Sequence, residues 1–206
     1  PHKIMALCLK YLVEKKSLSG AVVKTVSTTS MLNRQAERYD LPLHETSVGF
    51  NHIADVIIAE NVLIGGEESG SISIQGHIPE GDGIMMGLLL LEVMGGWGVS
   101  LYELVDNLAS EFGPCVYARE DLKLSQAISR PDMVRRILES SPSQIAHLEV
   151  KDVQDADGVK YLMEDDSWLL IRPSGTEPVL RVYAEARTSD DLAALLSYGK
   201  AVALHV

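Results

Sequence analysis

The chain has little of what marks several specialised classes of protein. Its 206 residues include two cysteines, Cys8 and Cys115, which are too few for a disulfide framework and lack metal-ligand spacing. Basic residues are scarce as well, since 18 Lys and Arg face 29 Asp and Glu and the net charge is −11. Nucleic-acid binding depends on Lys and Arg that neutralise phosphates, so we expect no nucleic-acid partner.

Long hydrophobic runs are also missing. A helix needs about 20 apolar residues to span a bilayer, whereas the longest run here, Ile84 to Met94, is interrupted by Gly87 and Glu92. We interpret this run as a buried helix. No secretory signal pattern opens the chain. The sequence therefore predicts a cytoplasmic protein with no membrane partner.

The first part of the chain alternates between helical and strand-like patterns. Helical spacing recurs at positions 4–12, 30–39 and 53–57, and short apolar runs at 21–26, 43–46 and 62–64 predict strands. Such alternation favours a parallel α/β layer. A glycine-rich loop at 65–83 follows, then a helix that Asp82 can cap and another that opens with the capping box Ser100 and Glu103.

The pattern changes after Gly113 and Pro114, which we interpret as a domain boundary. Strand-like runs now follow one another, near Val116 and at 145–152, 158–164, 168–172 and 179–186, with helices at 131–139 and after Thr188. The predicted fold class is α/β: a mixed or parallel βαβ-type sheet domain (1–112), followed by a small α+β domain with an antiparallel sheet (113–206).

The segment Arg172-Pro173-Ser174-Gly175-Thr176-Glu177-Pro178 lies between two predicted strands. Arginine supplies a forked cation, Ser and Thr supply hydroxyl groups, and glycine lets backbone N–H groups approach an anion closely. These are the components of a phosphate-binding loop. An ordinary Pro/Gly-rich hairpin turn remains the alternative, because such turns are frequent.

Three further features are candidates for ligand binding. The loop Gly65-Gly66-Glu67-Glu68-Ser69-Gly70 follows a predicted strand, where a carboxylate and a hydroxyl could bind sugar hydroxyls; a solvated turn is the alternative. Lys24 lies near the end of the first strand beside several hydroxyl residues, although most lysines are simply surface residues. His52 and His77 have no metal-ligand spacing.

Three motifs together resemble the α-D-phosphohexomutases. They are the GGEESG loop, the segment His77-Ile78-Pro79 with Asp82-Gly83-Ile84, and the run RPSGTEP-x-x-R-x-Y-x-E from Arg172 to Glu185. Their order matches the third domain of that family at about 1–112 and the fourth at about 113–206. The resemblance covers nearly the whole chain.

The resemblance implies a reaction and a role for each candidate residue. An active-site phosphoserine passes its phosphoryl group to a hexose monophosphate, and a bisphosphorylated sugar intermediate returns the other phosphate. Sugar contacts are expected from Glu67 and Ser69, with Lys24 and His77 also at the substrate. The non-transferred phosphate is expected to bind Arg172, Ser174, Gly175 and Thr176. Arg181 either supports this phosphate site or forms a structural ion pair with Glu185 or Glu177.

The same resemblance implies that essential parts lie outside this sequence. The family's phosphoserine loop and its D-x-D-x-D Mg²⁺ site belong to its first two domains, and neither motif occurs here. Asp155-Ala156-Asp157-Gly158 is only a hairpin candidate. We therefore expect no catalytic residue and no metal site in this chain, an inactive isolated chain, and Mg²⁺ only in the intact enzyme.

Partners follow from that expectation. They are the hexose phosphate and the N-terminal domains of the same enzyme, and an uncovered apolar patch is expected to cause self-association. The alternative is a stand-alone phosphosugar-binding or regulatory module without catalysis. An upstream reading frame that encodes the serine and aspartate loops would separate the two.

Two departures from the family pattern bear on the substrate. Many relatives carry Lys or His within two residues after the glycine of the loop Val48-Gly49, where Phe50 and Asn51 stand here. Either His52 takes over this basic role or the contact is missing. GEESG also differs from the GEQSG of phosphoglucosamine mutases and from the GEMSG of the bifunctional mannose/glucose enzymes. Glucose phosphates are therefore favoured, and mannose phosphates are the second choice.

Overall fold

The structure is a computed structural model that describes residues 1–124, 129–174 and 178–203. It divides into two compact units, Pro1–Gly113 (unit 1) and Pro114–Val206 (unit 2). Each unit has its own sheet.

Unit 1 is built around a mixed four-stranded sheet. Its elements are α1 (His2–Glu14), β1 (Ala21–Thr25), α2 (Met31–Arg38), β2 (Leu43–Thr46), α3 (Phe50–Ala59), β3 (Val62–Gly66), β4 (Ile72–Ile74), α4 (Gly83–Trp97) and α5 (Leu101–Phe112). The strand order is β2-β1-β3-β4. β1 pairs with β2 and β3 in parallel, and β4 is antiparallel to β3.

The parallel strands carry apolar residues because helices cover them. Ala21 and Val23 of β1 form a cluster with Ile53 of α3 and Val62. The helix α1 contacts β3 and also α2, α4 and α5. All five residues of β1 are buried, and so are all five of β3. The central strands β1 and β3 are therefore short and buried, and their carboxyl ends lie side by side because the two strands are parallel.

Helix α4 departs from the sequence prediction. Asp82 caps it as predicted, since its side chain accepts hydrogen bonds from the backbone N–H groups of Ile84 and Met85. The prediction of a buried helix is wrong, because only Met86, Leu89 and Val93 are buried. On the opposite side Ile84, Leu88 and Leu91 are 82%, 63% and 64% exposed. We call these three residues the α4 apolar stripe.

Unit 2 is an antiparallel sheet accompanied by helices. Its described elements are β5 (Val116–Lys123), α6 (Arg130–Glu139), β6 (Gln144–Ile145), β7 (Leu148–Gln154), β8 (Val159–Met163), β9 (Trp168–Pro173), β10 (Val179–Ala186) and α7 (Ser189–Ala203). The strand order is β5-β10-β9-β8-β7-β6. Neighbouring strands in this sheet are antiparallel.

The core of unit 2 lies between this sheet and its helices. Alternate residues of β9 and β10, including Leu169, Ile171 and Val182, join Met133 of α6 and Leu195 of α7 in one cluster. The strand predicted at 145–152 is two strands, β6 and β7, because Ala146 between them has a φ of 53°. The predicted class, a mixed α/β sheet domain followed by an antiparallel α+β domain, is confirmed.

Among the described residues, no single helix has both the length and the hydropathy needed to cross a membrane. The pair α4 and α5 together meets that test by length and composition, with a bend of 78° between them.

Candidate functional site

The polar residues of unit 1 gather where its parallel strands end. Lys24 of β1 is aligned with Gly66 at the end of β3 and with Glu45 of β2. The loop that carries Glu67 starts directly after Gly66. Ligands of open α/β sheets bind outside the carboxyl ends of the strands, so this edge is the candidate sugar site.

Glu67 and Ser69 form a closed polar turn at this edge. Ser69 Oγ donates a hydrogen bond of 2.6 Å to Glu67 Oε1 and accepts one of 3.3 Å from Ser71 N. The backbone closes around them, since Gly70 N donates to Glu67 O at 3.0 Å and Glu67 N donates to Ser71 O at 3.0 Å. The carboxylate and the hydroxyl are thus held together, and Ser69 is exposed. Such a pair can bind two neighbouring hydroxyl groups.

Glycines bring this turn close to the sheet. A Cβ on Gly65 would lie 2.7 Å from Ile53 Cγ2, and one on Gly66 would lie 2.9 Å from both Ile72 Cγ1 and Met5 Sδ. Larger residues at 65 and 66 would therefore collide with side chains of α1, α3 and β4. The two glycines allow the end of β3, directly before Glu67, to pack closely against these elements.

Lys24 lies at the same edge, but its ammonium group is fully enclosed. The residue is 1% exposed, and Nζ lies 3.0 Å from Glu45 Oε2. Nζ also donates to the carbonyl oxygens of Thr28 and Thr29, at 3.2 and 3.3 Å. In this arrangement Lys24 holds the connection between β1 and α2 in place. Its contact with a substrate stays a prediction.

His77 contacts Asp82, which lies beside the same edge of the sheet. Its Nε2 lies 3.1 Å from Asp82 Oδ2, and Asp82 N donates to the carbonyl of Ile72, which is paired with Gly66. The backbone N–H of Met85, followed by His77, holds the pKa of Asp82 below its usual value. His77 is therefore tied to the cap of α4 beside the Glu67 turn. Its place at the substrate stays a prediction, with which this position is compatible.

The loop that departs from the family pattern becomes the first turn of α3. Gly49 precedes the helix with a φ of 133°, and Asn51 and His52 are both exposed there. The Nδ2 atom of Asn51 lies 3.5 Å from Nδ1 of His52. A basic role for His52 stays a prediction.

The predicted phosphate site is in unit 2, at the connection between β9 and β10. Arg172 is 6% exposed near the end of β9, and Ser174 N donates to the carbonyl of Val179 at 2.8 Å. This bond closes the two strands around the loop. Gly175 and Thr176 lie outside the described residues. The described part places a buried guanidinium and a serine at the mouth of this loop.

Arg181 is directly opposite Arg172 in the β9–β10 pairing, so both side chains are on one face of the sheet. Its Nε lies 3.8 Å from Asp121 Oδ2 of β5. Glu185 accepts a hydrogen bond of 3.3 Å from Trp168 Nε1. Glu177 lies outside the described residues. Whether Arg181 supports the phosphate site or forms a structural ion pair stays a prediction.

Asp157 and Arg130 were not predicted as part of the phosphate site. Asp157, predicted only as part of a hairpin, lies in the turn between β7 and β8. It is within ion-pair distance of both Arg172 and Arg130. The Asp-Gly pair at 157 and 158 was the available signal for the turn. The register that brings it beside Arg172 is not visible in the sequence.

The described parts of the chain contain no cluster of potential metal ligands. No set of three or more His, Cys, Asp or Glu side chains there could hold a metal ion.

Comparison with known proteins identifies the class. The family model described as phosphoglucomutase/phosphomannomutase, alpha/beta/alpha domain III, matches residues 1–112, and that of the phosphoglucomutase/phosphomannomutase C-terminal domain matches residues 131–197. The chain belongs to the phosphoglucomutase/phosphomannomutase family, the α-D-phosphohexomutases, and corresponds to its C-terminal half. The resemblance seen in the sequence is confirmed.

Individual relatives differ in the sugar that they act on. A phosphoglucosamine mutase of Methanocaldococcus jannaschii is 30% identical over 203 residues, which are 96% of this chain and 42% of the relative. A phosphoglucosamine/phosphogalactosamine mutase of Sulfurisphaera tokodaii is 34% identical over 81% of this chain and 34% of its own length. A phosphoglucomutase/phosphomannomutase of Thermococcus kodakarensis is 26% identical over 91% and 38%. The chain thus spans less than half the length of these relatives.

Solved structures agree with the fold. The crystal structure of a Thermus thermophilus protein described as a phosphomannomutase superposes with a TM-score of 0.80 and 31% identity, over 99% of this chain and 40% of the other. An N-acetylphosphoglucosamine mutase of Aspergillus fumigatus has a TM-score of 0.64 at 15% identity, over 98% of this chain and 46% of the other. The second likeness supports the fold alone.

Proposed function

We propose that this chain is the sugar- and phosphate-binding half of an enzyme that interconverts hexose 1-phosphate and hexose 6-phosphate. In that enzyme a phosphoserine and a bisphosphorylated sugar carry the phosphoryl group, and both the serine and the Mg²⁺ site belong to the N-terminal domains. The chain by itself binds and orients substrate, and it is inactive. The observation that carries the proposal is the Glu67–Ser69 turn, within a domain that matches the family.

Unit 1 supplies the contacts to the sugar. The Ser69 hydroxyl already donates to Glu67 Oε1, which leaves carboxylate lone pairs for hydroxyl donors of a ligand. An ionised carboxylate forms stronger hydrogen bonds with hydroxyl donors than a neutral acceptor does. The turn is therefore suited to select a sugar by the arrangement of its hydroxyls.

Unit 2 supplies the contacts to the phosphate that is not being transferred. A guanidinium binds phosphate oxygens through paired N–H groups, and Arg172 is held on a buried strand end, where little side-chain entropy remains to be lost. Ser174 sits beside it at the start of the loop. In a protein of net charge −11, such a local cation is required for an anionic ligand.

The preferred sugar is the finer part of the proposal. The GEESG loop favours glucose phosphates, with mannose phosphates second, whereas several relatives are named as mutases of glucosamine phosphates. A titration series can decide between them. Its ligands are the 1-phosphates of glucose, mannose and glucosamine, with inorganic phosphate as the reference without a sugar.

The test uses the 206-residue chain and ³¹P NMR line broadening, which detects the weak binding expected of half a site. We expect Arg172→Ala to abolish binding of every ligand, and Glu67→Gln to weaken the sugar phosphates but not inorganic phosphate. Arg135→Ala removes the same charge from an exposed position on α6 and serves as the control. A folded chain that binds none of the ligands, or binding that survives in Arg172→Ala, would contradict the proposal.

A further inference from the structure

Arg172 shares one buried carboxylate with a second arginine. Asp157 is 3% exposed in the turn between β7 and β8. Its Oδ2 lies 3.4 Å from Arg172 Nε, and its Oδ1 lies 3.0 Å from Arg130 Nη2. We call Arg130, Asp157 and Arg172 the two-arginine centre. Neither Arg130 nor Asp157 is among the residues expected at the phosphate from the family pattern.

The charges of this centre do not cancel. The centre contains two guanidinium groups and one carboxylate. It therefore has one basic side chain more than it has acidic ones. A buried carboxylate is costly unless cations and hydrogen bonds surround it. With the second arginine present, the centre is both stable and attractive to an anion.

The geometry of the centre is fixed by the backbone next to Asp157. Gly158 has a φ of 98°, and a Cβ there would lie 2.4 Å from Ile171 O and 2.6 Å from Arg172 Cβ. The turn is therefore pressed against β9 at the arginine itself. Because Asp157 is the residue directly before this contact, its carboxylate has little freedom to leave Arg172.

Arg130 is held in place from the helix side. It is the first residue of α6, and Ser129 caps that helix by accepting a hydrogen bond from Asp132 N at 3.3 Å. α6 contacts both β8 and β9. The Arg130 side chain is 46% exposed, whereas that of Arg172 is 8% exposed. A guanidinium has five N–H donors, so Arg130 can keep Asp157 and still donate to an anion from solvent.

We propose that Arg130 is a second phosphate-binding residue, which binds the same phosphate monoester as Arg172, and that Asp157 is the positioning residue that aims both arginines. The inference rests on the proposed function, because it takes the phosphate to bind at Arg172. It adds a cation from another element to the loop between β9 and β10. The ligand is a phosphate dianion, and the sugar is not involved.

The experiment is a ³¹P titration of the 206-residue chain with inorganic phosphate and with glucose 1-phosphate. Arg130→Ala is expected to raise Kd about tenfold for both ligands, as for a lost charge-assisted hydrogen bond, and Arg130→Lys is expected to recover part of the loss. Arg135→Ala, on the same helix and 63% exposed, is the control and is expected to stay within about twofold of the wild type. Circular dichroism of each variant shows that it is folded.

The variant Asp157→Asn tests whether Asp157 orients the two arginines or only neutralises their charge. If Asp157 only cancelled charge, its loss would add one positive charge and tighten phosphate binding. If it aims the two arginines, binding weakens by about fivefold or more despite that added charge. Should this variant fail to fold, Arg130→Ala and Arg130→Lys still decide the role of Arg130.

The failures can be told apart. Loss of binding in Arg172→Ala together with unchanged binding in Arg130→Ala overturns this inference alone. Tighter binding in Asp157→Asn overturns the positioning role. A folded wild-type chain that binds no phosphate ligand overturns both this inference and the proposed function.

Discussion

Gly158→Ala is the substitution for which the structure makes the sharpest prediction. The residue has a φ of 98°, a region that L-residues rarely adopt. A Cβ would lie 2.4 Å from Ile171 O, 2.6 Å from Arg172 Cβ and 3.0 Å from Arg172 Cα. Two of these three atoms are backbone atoms of a buried strand, so the overlap cannot be relieved by turning a side chain.

The size of the effect follows from two terms. Forcing a non-glycine residue into this backbone region costs about 1–3 kcal/mol, and overlap with close-packed neighbours costs about 1–3 kcal/mol more. The lower entropy of the unfolded alanine chain returns about 0.5–1 kcal/mol. We therefore expect Gly158→Ala to lower the free energy of unfolding of unit 2 by about 1–5 kcal/mol.

Urea unfolding followed by tryptophan fluorescence measures this loss. The chain has two tryptophans, Trp97 in unit 1 and Trp168 in unit 2, so a Trp97→Phe background reports unit 2 alone. Trp168 is 1% exposed and its signal should change strongly on unfolding. With a slope of about 1–2 kcal/mol/M for a domain of this size, the midpoint should fall by about 2 M.

Gly76→Ala is the matched control. Because it lies in unit 1, its unfolding is followed through Trp97 in a Trp168→Phe background. Its φ is 84°, but nothing lies within 4 Å of its Cβ position, so only the backbone strain remains and the loss should be about 1 kcal/mol. A midpoint for Gly158→Ala within about 0.5 M of the parent protein would refute the close contact between the turn and β9. It would also remove the support for a fixed Asp157.

Three further predictions concern unit 1. Burial raises the pKa of the Cys8 thiol to about 12, whereas the thiol of the unfolded chain ionises near pH 9. The free energy of unfolding should therefore be constant below pH 9 and fall by about 1 kcal/mol by pH 10. Cys8→Ala should remove this pH dependence in urea titrations. Lys24→Met removes the ion pair with Glu45 and the hydrogen bonds from Nζ to the carbonyl oxygens of Thr28 and Thr29, so it should lower the free energy of unfolding by about 2 kcal/mol. An unchanged urea midpoint would contradict this prediction. The exposed α4 apolar stripe should make the chain self-associate, which sedimentation velocity detects. Leu88→Asp should restore the monomer, while the control Leu138→Asp on α6 should not. A wild-type chain that stays monomeric at high concentration would disprove the prediction.

Local sequence chemistry was sufficient to predict many elements. The caps at Asp82 and Ser100 are formed by side chains within three residues of the backbone groups that they bind, and both are confirmed. The strand-like runs of unit 2 recur in the antiparallel sheet for the same reason, since alternation and turn residues are short-range signals. The break between β6 and β7 was not predicted, because nothing in the side chain of Ala146 indicates that this residue adopts a positive φ.

The exposed side of α4 could not be predicted from the sequence. The helix is apolar on nearly every side, so its pattern has no polar face that would mark the solvent side. An all-apolar pattern predicts full burial, and here one side remains open in the described chain. Periodicity indicates which residues avoid water and does not indicate what covers them.

One part of the candidate site could be predicted from the sequence, and the other part could not. Glu67 and Ser69 interact within one turn, so their motif was sufficient to place them together. The neighbours of Arg172 come from α6 and from the turn before β8, far from it in sequence. Only strand pairing brings them together, and residue patterns do not encode that register.

The strand order of unit 2 also has a consequence for how the unit folds. From β6 to β10 each strand pairs with the next one in the chain, so this part of the sheet can grow as a series of local hairpins. β5 is different, because it pairs with β10 and brings Val116 opposite Ala186. Closing so long a loop costs more entropy than closing a hairpin. We therefore expect β5 to join last during folding and to leave first, which makes it the strand of this sheet least protected from amide exchange.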